Sequence, residues 1–469
     1  MGRSVREMQP LAFLKRISNK SLVPNCATPG TGVRYVNAAV EPFAAVNPTT
    51  VKNRGKENII CVYQQDRYSN GAASSIDAGA SFDGGRTWRI TSLPFNQCVP
   101  GGLTYERASD PWISFGSDGT AYVSALAFSQ SSFDTAIATV ISTNRGKSWS
   151  NPRIIRKDVG PTVLNDKDSI TVDPNNPKQA YVVWTRFTSF TSPNRFQTRI
   201  WFAKTKNRGK TWQTKVIFSP KRGDEVASSV IIAAPKKGLL YHFFTLAITK
   251  NNRTMNQILI QTSNDSGETW SKARIVTQIV PPATDIEGAF NFLSIPLRTS
   301  STAIFSVTMD NKTGTLYVSW EDARFSKGRI AEIALSSSID GGQKWRNPVR
   351  VNETTGNPAF IPTVAVNQTG RVGVSYYQCT NSRPNNALPV QPLFKVSNDR
   401  GRSFSQNGIA LNKPFNILTA PFASRGFFVG DYESMITIGN HFFPVFTNVH
   451  SNRDRLRSSI YIARINPNH

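Results

Sequence analysis

Charged and aromatic residues gather at the ends of short apolar runs rather than inside them. Gln64, Gln65, Asp66 and Arg67 close the run "IICVYQQDR", and Trp184 and Arg186 close "AYVVWTR". Trp320, Glu321, Asp322 and Arg324 close "TLYVSWEDAR", and Tyr376 and Tyr377 lie in "VGVSYYQ". Other runs are entered through charge: Arg107 and Asp110 in "YERASDPW", Asp166, Lys167 and Asp168 in "NDKDSITVDP", Asp224 and Glu225 in "GDEVASS", and Asp431, Tyr432 and Glu433 in "GDYESM". Carboxyl groups suit general acid–base work and guanidinium groups suit the grip on an anion. Ionic groups that converge are costly unless they are paired or used. These sets therefore either lock elements together or line a polar pocket.

Aspartate recurs in a second setting. The octad "SFDGGRTW" from Ser81 returns as "STNRGKSW" from Ser142, "TKNRGKTW" from Thr205, "SNDSGETW" from Ser263, "SIDGGQKW" from Ser338 and "SNDRGRSF" from Ser397, at steps of 61, 63, 58, 75 and 59 residues. A catalytic constellation is built once, whereas a structural unit recurs at a period. Two copies carry asparagine at the third position, and an amide does no acid–base work. Asp83, Asn144, Asn207, Asp265, Asp340 and Asp399 are therefore turn residues that accept backbone N–H bonds. The glycine at the fifth position supplies positive φ, and the aromatic at the eighth is buried as the next strand begins.

The elements that must carry these residues are many and short. At 469 residues the chain exceeds what one ordinary core supports, and the period near 60 favours a repeat architecture over separate domains. Three strand-like runs precede each octad, and a fourth begins at the octad aromatic. In the first repeat the three are "FAAVNP", "IICVYQQDR" and "SSIDAGAS". Four antiparallel strands per repeat make a propeller blade. After the sixth octad, "YESMITIGN", "FFPVFTNV" and "SSIYIARIN" supply three more strands, and an amino-terminal strand at residues 33–37 would complete them. The expectation is an all-β propeller over residues 31–469, with seven blades and six as the alternative, preceded by a basic extension at residues 1–30 outside the fold.

With 55 Lys and Arg against 30 Asp and Glu, the formal charge of +25 favours anionic partners such as acidic glycans, membrane surfaces or nucleic acid. Many cations lie in the octads, where a solvated basic rim explains them, and no nucleic-acid-binding motif is present. No run of 18 apolar residues exists to span a membrane, and residues 1–20 lack the apolar centre of a secretory signal. Cys26, Cys61, Cys98 and Cys379 show no metal or redox spacing, and with only four histidines no metal or other cofactor is expected. Two disulfides are permitted but not required.

The six octads resemble the Asp-box, or BNR, repeat of the sialidase-like β-propellers. The resemblance covers roughly residues 33–465 and extends to "YERASDPW", "NDKDSI", "WEDARFS" and "RGFFVGDY". It implies a glycoside hydrolase acting on sialylated or otherwise acidic glycans. Arg67, Arg107, Arg186 and Arg324 would form the carboxylate clamp, with Trp184, Trp320 and Tyr377 as further substrate contacts. Tyr432 would be the nucleophile, Glu225 from another blade its base, and Asp66 or Asp110 the acid. The Arg-Ile-Pro motif of sialidases is missing, so these arginines are matched by position alone. A glycan-binding propeller without turnover and a scaffold or virion-type surface protein are the alternatives.

Overall fold

The computed structural model describes residues 13–189, 196–251, 253–282, 285–286, 289–292, 295–299, 304–353, 356–380, 387–450 and 457–467. Strands and turns dominate, and helical structure among these residues is confined to 3-10 turns such as Arg324–Ser326 and Ile417–Thr419. The strands form successive four-stranded antiparallel units. Unit 1 runs outward as Ala39–Val46, Ile59–Arg67, Ala73–Ser81 and Arg89–Leu93. Units 2, 3 and 4 begin with the inner strands Arg107–Phe115, Val163–Val172 and Glu225–Ala233. Units 5 and 6 begin with Phe305–Met309 and Ala359–Val366. Unit 7 comprises Ser434–Ile438, His441–Val449 and Ser458–Ala463 with an outer strand from the other end of the chain.

That outer strand is Leu14–Arg16, in register with Ala463, Ile462 and Tyr461. The expected closing segment, residues 33–37, lies elsewhere: Arg34 bridges Tyr68, and the Tyr35 N–H donates to the Arg67 carbonyl. The border at residue 30 is therefore also corrected, since residues 14–16 belong to the fold. The physical reason is burial. Phe13 and Ile17 flank the strand and enter a cluster with Ile59, Val445, Ile460 and Ile462, whereas Val33 and Val36 are exposed.

Inner strands bond to their neighbours through hydroxyl groups. Ser114 accepts from Val172 N–H, Ser306 from Val364 N–H and Ser434 from Ala44 N–H, while Ser169 donates to the Ser229 carbonyl and Thr437 to the Val366 carbonyl. Phe43 of unit 1 stacks on Trp112 of unit 2 at 3.5 Å, and Phe243 of unit 4 approaches Phe305 of unit 5 at 6.5 Å. The cores lie between adjacent units. Ile60, Val62 and Ile76 of unit 1, for example, pack with Val123 and Val140 of unit 2.

The octads fold as turns. The Ser81 hydroxyl donates to Asp83 Oδ1 at 2.8 Å and accepts from Gly85 N–H at 2.8 Å, and the same Asp83 oxygen accepts from Arg86 and Thr87 N–H at 3.0 Å. Where the acid is replaced by asparagine, the bond to the seventh residue reverses. Thr87 donates to the Asp83 carboxylate, but the Asn144 and Asn207 amides donate to Ser148 and Thr211. The fifth-position glycines have φ between +71° and +88°. Each sits against the preceding unit: Gly146 on Ile60, Gly209 on Ile141, Gly342 on Ile260 and Gly401 on Leu335. Gly85 sits on Phe13.

Candidate active site

One backbone device recurs on the inner strands. Register shifts fall at Val40/Phe43, Ser109/Trp112, Asp166/Ser169, Ala227/Ser229 and Phe360/Thr363. Each contains a non-glycine residue in the left-handed region: Glu41 at +55°, Asp110 at +51°, Lys167 at +54°, Ser228 at +44° and Ile361 at +52°. A bulge of this kind re-aims a side chain at a cost of roughly 1–2 kcal/mol for each left-handed residue. In units 1, 2 and 3 the re-aimed side chains are Glu41, Asp110 and Lys167, and all three line one cleft of about 360 Å³.

Asp166, Asp431, Arg67 and Arg298 also line this cleft. Lys167 Nζ pairs with Asp431 and lies 3.6 Å from Asp110, and Arg298 reaches Asp431 at 3.4 Å. Asp431 N–H donates to Glu41 at 3.1 Å, and the Gln64 amide donates to the same carboxyl group. Burial, then Asp431 and Asp110, push Glu41 up to about 7. Burial, then Asp110, push Asp166 up to about 7. The surrounding carboxylates overcome burial at Lys167 and hold its ammonium well above the ordinary range. The cleft therefore holds two carboxyl groups poised to carry a proton near neutral pH beside the firmly charged Lys167 ammonium.

Arg67 is only 4% exposed and has no carboxylate within ion-pair distance among the described residues. One of its terminal nitrogens donates to the Ala72 carbonyl at 2.8 Å, and its guanidinium faces Phe428 at 5.1 Å. Arg298 faces the same ring at 4.8 Å. Two guanidinium groups thus flank one end of the cleft. Leu126, Phe128, Phe133 and Leu164 give it apolar surface.

The other expected clamp arginines are occupied with the fold. Arg107 is fully buried, lies 3.8 Å from the Tyr68 ring and donates to Asn70, Gly71 and Thr31. Arg186 makes a two-point contact with Asp158 at 2.9 and 2.7 Å. Arg324 does the same with Asp322 at 2.8 Å to each oxygen. Trp184 donates to Asn165, Trp320 donates to Asp322, and both are buried in the core. The Tyr377 hydroxyl donates to Glu433 at 2.6 Å. None of these six residues lines the cleft.

Asp110 lines the cleft, but Asp66 is sequestered. It is buried, pairs with Arg34 at 2.6 Å and accepts from Ser21 and Asn37 at 2.7 Å, which fastens the amino-terminal segment. Glu225 is exposed at the edge of unit 4 and does not line the cleft. Tyr432 does not line the cleft. Its ring is 6.0 Å from Lys167 Nζ and 5.5 Å from Trp112, and its hydroxyl lies 3.4 Å from the Pro111 carbonyl. Burial, Glu41 and Asp110 raise its phenol well above the ordinary range, against its use as a nucleophile. A smaller central cavity of about 140 Å³ is lined by Tyr432, Glu433 and Glu321.

Sequence reasoning passed over Glu41 and Arg298. Glu41 is marked by no motif, because a bulge is invisible without its partner strand. Arg298 comes from an additional sheet in which Ile295–Arg298 pairs with Gly426–Phe427 in parallel.

No family model matches the chain, and no curated protein matches it. Among solved structures it is similar to an α-L-arabinanase from Penicillium chrysogenum complexed with arabinobiose, at 13% identity and a TM-score of 0.49 over 73% of this chain and 90% of that one. It is also similar to the Hadza microbial sialidase Hz136, at 13% identity and a TM-score of 0.47 over 86% of this chain and 75% of that one. A third is a K499G mutant of the NanB sialidase from Streptococcus pneumoniae, at 11% identity and a TM-score of 0.45 over 98% of this chain and 100% of that one.

Proposed function

We propose that the chain is a glycoside hydrolase whose units close as a seven-bladed Asp-box propeller and whose substrate is an acidic glycan bound in the cleft. The observation that carries this reading is Arg67, a buried guanidinium without a carboxylate partner among the described residues that lines the cleft with Arg298 beside carboxyl groups with pKa values near 7. A sugar carboxylate fits between the two guanidinium groups, which offer paired donors. Asp166, more exposed than Glu41, protonates the leaving oxygen, and Asp110 acts as the opposing carboxylate. Tyr432 then supports Lys167 instead of attacking the sugar. Closure between units 7 and 1 is supported by the Ser434 bond to Ala44 and by Gly85 against Phe13.

The test is turnover of a fluorogenic sialoside beside a neutral arabinofuranoside. Asp166→Asn should lower kcat by at least about 100-fold, the size of a general-acid contribution. Arg67→Ala should raise KM for the acidic substrate by roughly 10- to 100-fold, in line with the loss of a charge-assisted bond. Preference for the neutral substrate overturns the anionic specificity. Glycan binding without any turnover assigns the cleft to recognition alone, and neither binding nor turnover leaves the scaffold reading.

A further inference from the structure

A second cleft opens on the octad face, at the junction of units 7 and 1, with a volume of about 550 Å³. Lys52 and Arg54 reach it from the turn between the first two strands of unit 1, and Arg86 reaches it from the first octad. His441 and Arg464 reach it from unit 7. Lys52, Arg54, Arg86 and Arg464 are exposed, and none forms an ion pair among the described residues. The one carboxylate among the described lining residues is Glu57, which is buried. Arg86 is braced by bonds to the Asp83 and Gly55 carbonyls, and Arg464 lies over the Phe13 ring at 5.4 Å. Burial, then Arg464 and Arg54, lower the His441 imidazole in the same lining. Unpaired cations lining one cleft repel one another, and a polyanion relieves that cost.

We propose that this cleft binds a sulfated polysaccharide chain. Guanidinium groups match the planar faces of sulfate oxygens, and a concave polar groove accepts a flexible chain bearing regularly spaced charges. Nucleic acid suits it less well. Single strands need exposed aromatic platforms, whereas Phe443, the aromatic side chain in the lining, is buried. A duplex is read by an element that protrudes into its groove, and this surface is concave. The binding face is opposite the candidate active site, so a long acidic chain could be retained while other glycans are processed.

The probe is a heparin-derived octasaccharide, titrated against the full chain at 50 and 200 mM NaCl, with a desulfated octasaccharide and a 20-base-pair DNA duplex alongside. Binding should require sulfate. Arg54→Ala/Arg464→Ala should weaken it at least 10-fold and lower the slope of log Kd against log salt by about two, one for each contact removed. Lys52→Glu, at an exposed turn, should weaken binding without moving Tm and so separates ligand loss from unfolding. The proposal is overturned if the double variant binds within twofold of the parent, if the duplex binds more tightly than the sulfated chain at equal salt, or if Arg67→Ala in the other cleft is the change that abolishes binding.

Discussion

Gly267 shows how little room a repeated turn leaves at the residue scale. Its φ of +82° is strained for any residue with a Cβ, and a methyl group there would overlap the Phe202 ring of the preceding unit. Gly160 has the same backbone demand, at +81°, but a methyl group added to it would meet nothing within 4 Å. Gly267→Ala should therefore cost roughly 2–4 kcal/mol, the left-handed penalty plus overpacking, while Gly160→Ala should cost about 1–2 kcal/mol. Equal losses in chemical denaturation would show that the octad glycine serves backbone conformation alone. The asparagine copies teach a related point. Asn144 and Asn207 keep the bonds from the first-position hydroxyl and the seventh-residue N–H and reverse one donor, so the third position needs an acceptor oxygen and not a charge.

At the scale of elements, the amino-terminal strap links distant parts of the molecule. Cys26 is bonded to Cys98 across 72 residues, while Cys61 and Cys379 remain free and buried. The strap continues to Thr28, which donates to the Tyr68 hydroxyl at 3.0 Å, and to Thr31, whose carbonyl accepts from Arg107 and Asn70. Asn70 in turn lines the candidate active site. Cys26→Ser/Cys98→Ser should lower stability by about 2–4 kcal/mol, the usual effect of releasing a long loop. A reductant should lower the Tm of the parent toward that of the double variant and leave the double variant unmoved. An unchanged parent Tm under reductant would show that the hydrogen bonds alone hold the strap.

For the whole molecule, pH acts through two opposed groups of carboxyls. Asp77 is buried in unit 1 and pushed up to about 7 by burial, against bonds from Ser92 and Ser75. With Glu41 and Asp166 it binds its proton more tightly in the folded state than in the unfolded state. Stability from these three is complete below about pH 4 and is lost as pH rises through 7. Asp158 and Asp399 have the opposite sense. Their bonding partners outweigh burial and hold them at about 2, so their contribution is lost as pH falls from about 4 through 2. Thermal stability should decline between pH 5 and 8, and the decline should be shallower in Asp77→Asn, which carries no proton to lose. Comparing variant with parent cancels the general repulsion of a chain with a charge of +25. Parallel profiles in the two proteins would remove Asp77 from this account.

The sequence by itself determined the repeating unit, because turn chemistry is local: a Ser or Thr, an Asp or Asn, a Gly and an aromatic within eight residues need only one another to form the octad. It also located the charged strand ends, since alternation and turn residues mark where strands begin and stop. Asp110 and Arg67 were legible on that basis. Tertiary structure decided which of these charges are free. Arg107, Arg186 and Arg324 look like Arg67 in sequence, yet Asn70 and Asp158 reach Arg107 and Arg186 from outside their own strands and Asp322 holds Arg324 from two residues away, whereas Arg67 has no carboxylate within ion-pair distance among the described residues. It also decided which amino-terminal strand pairs with Ser458–Ala463, because Leu14–Arg16 is too short to signal itself and is selected by the core that Phe13 and Ile17 enter. Glu41 and Arg298 belong to the same class: a bulge and an added sheet are long-range pairings, and their energies depend on partners that a single stretch of sequence does not contain.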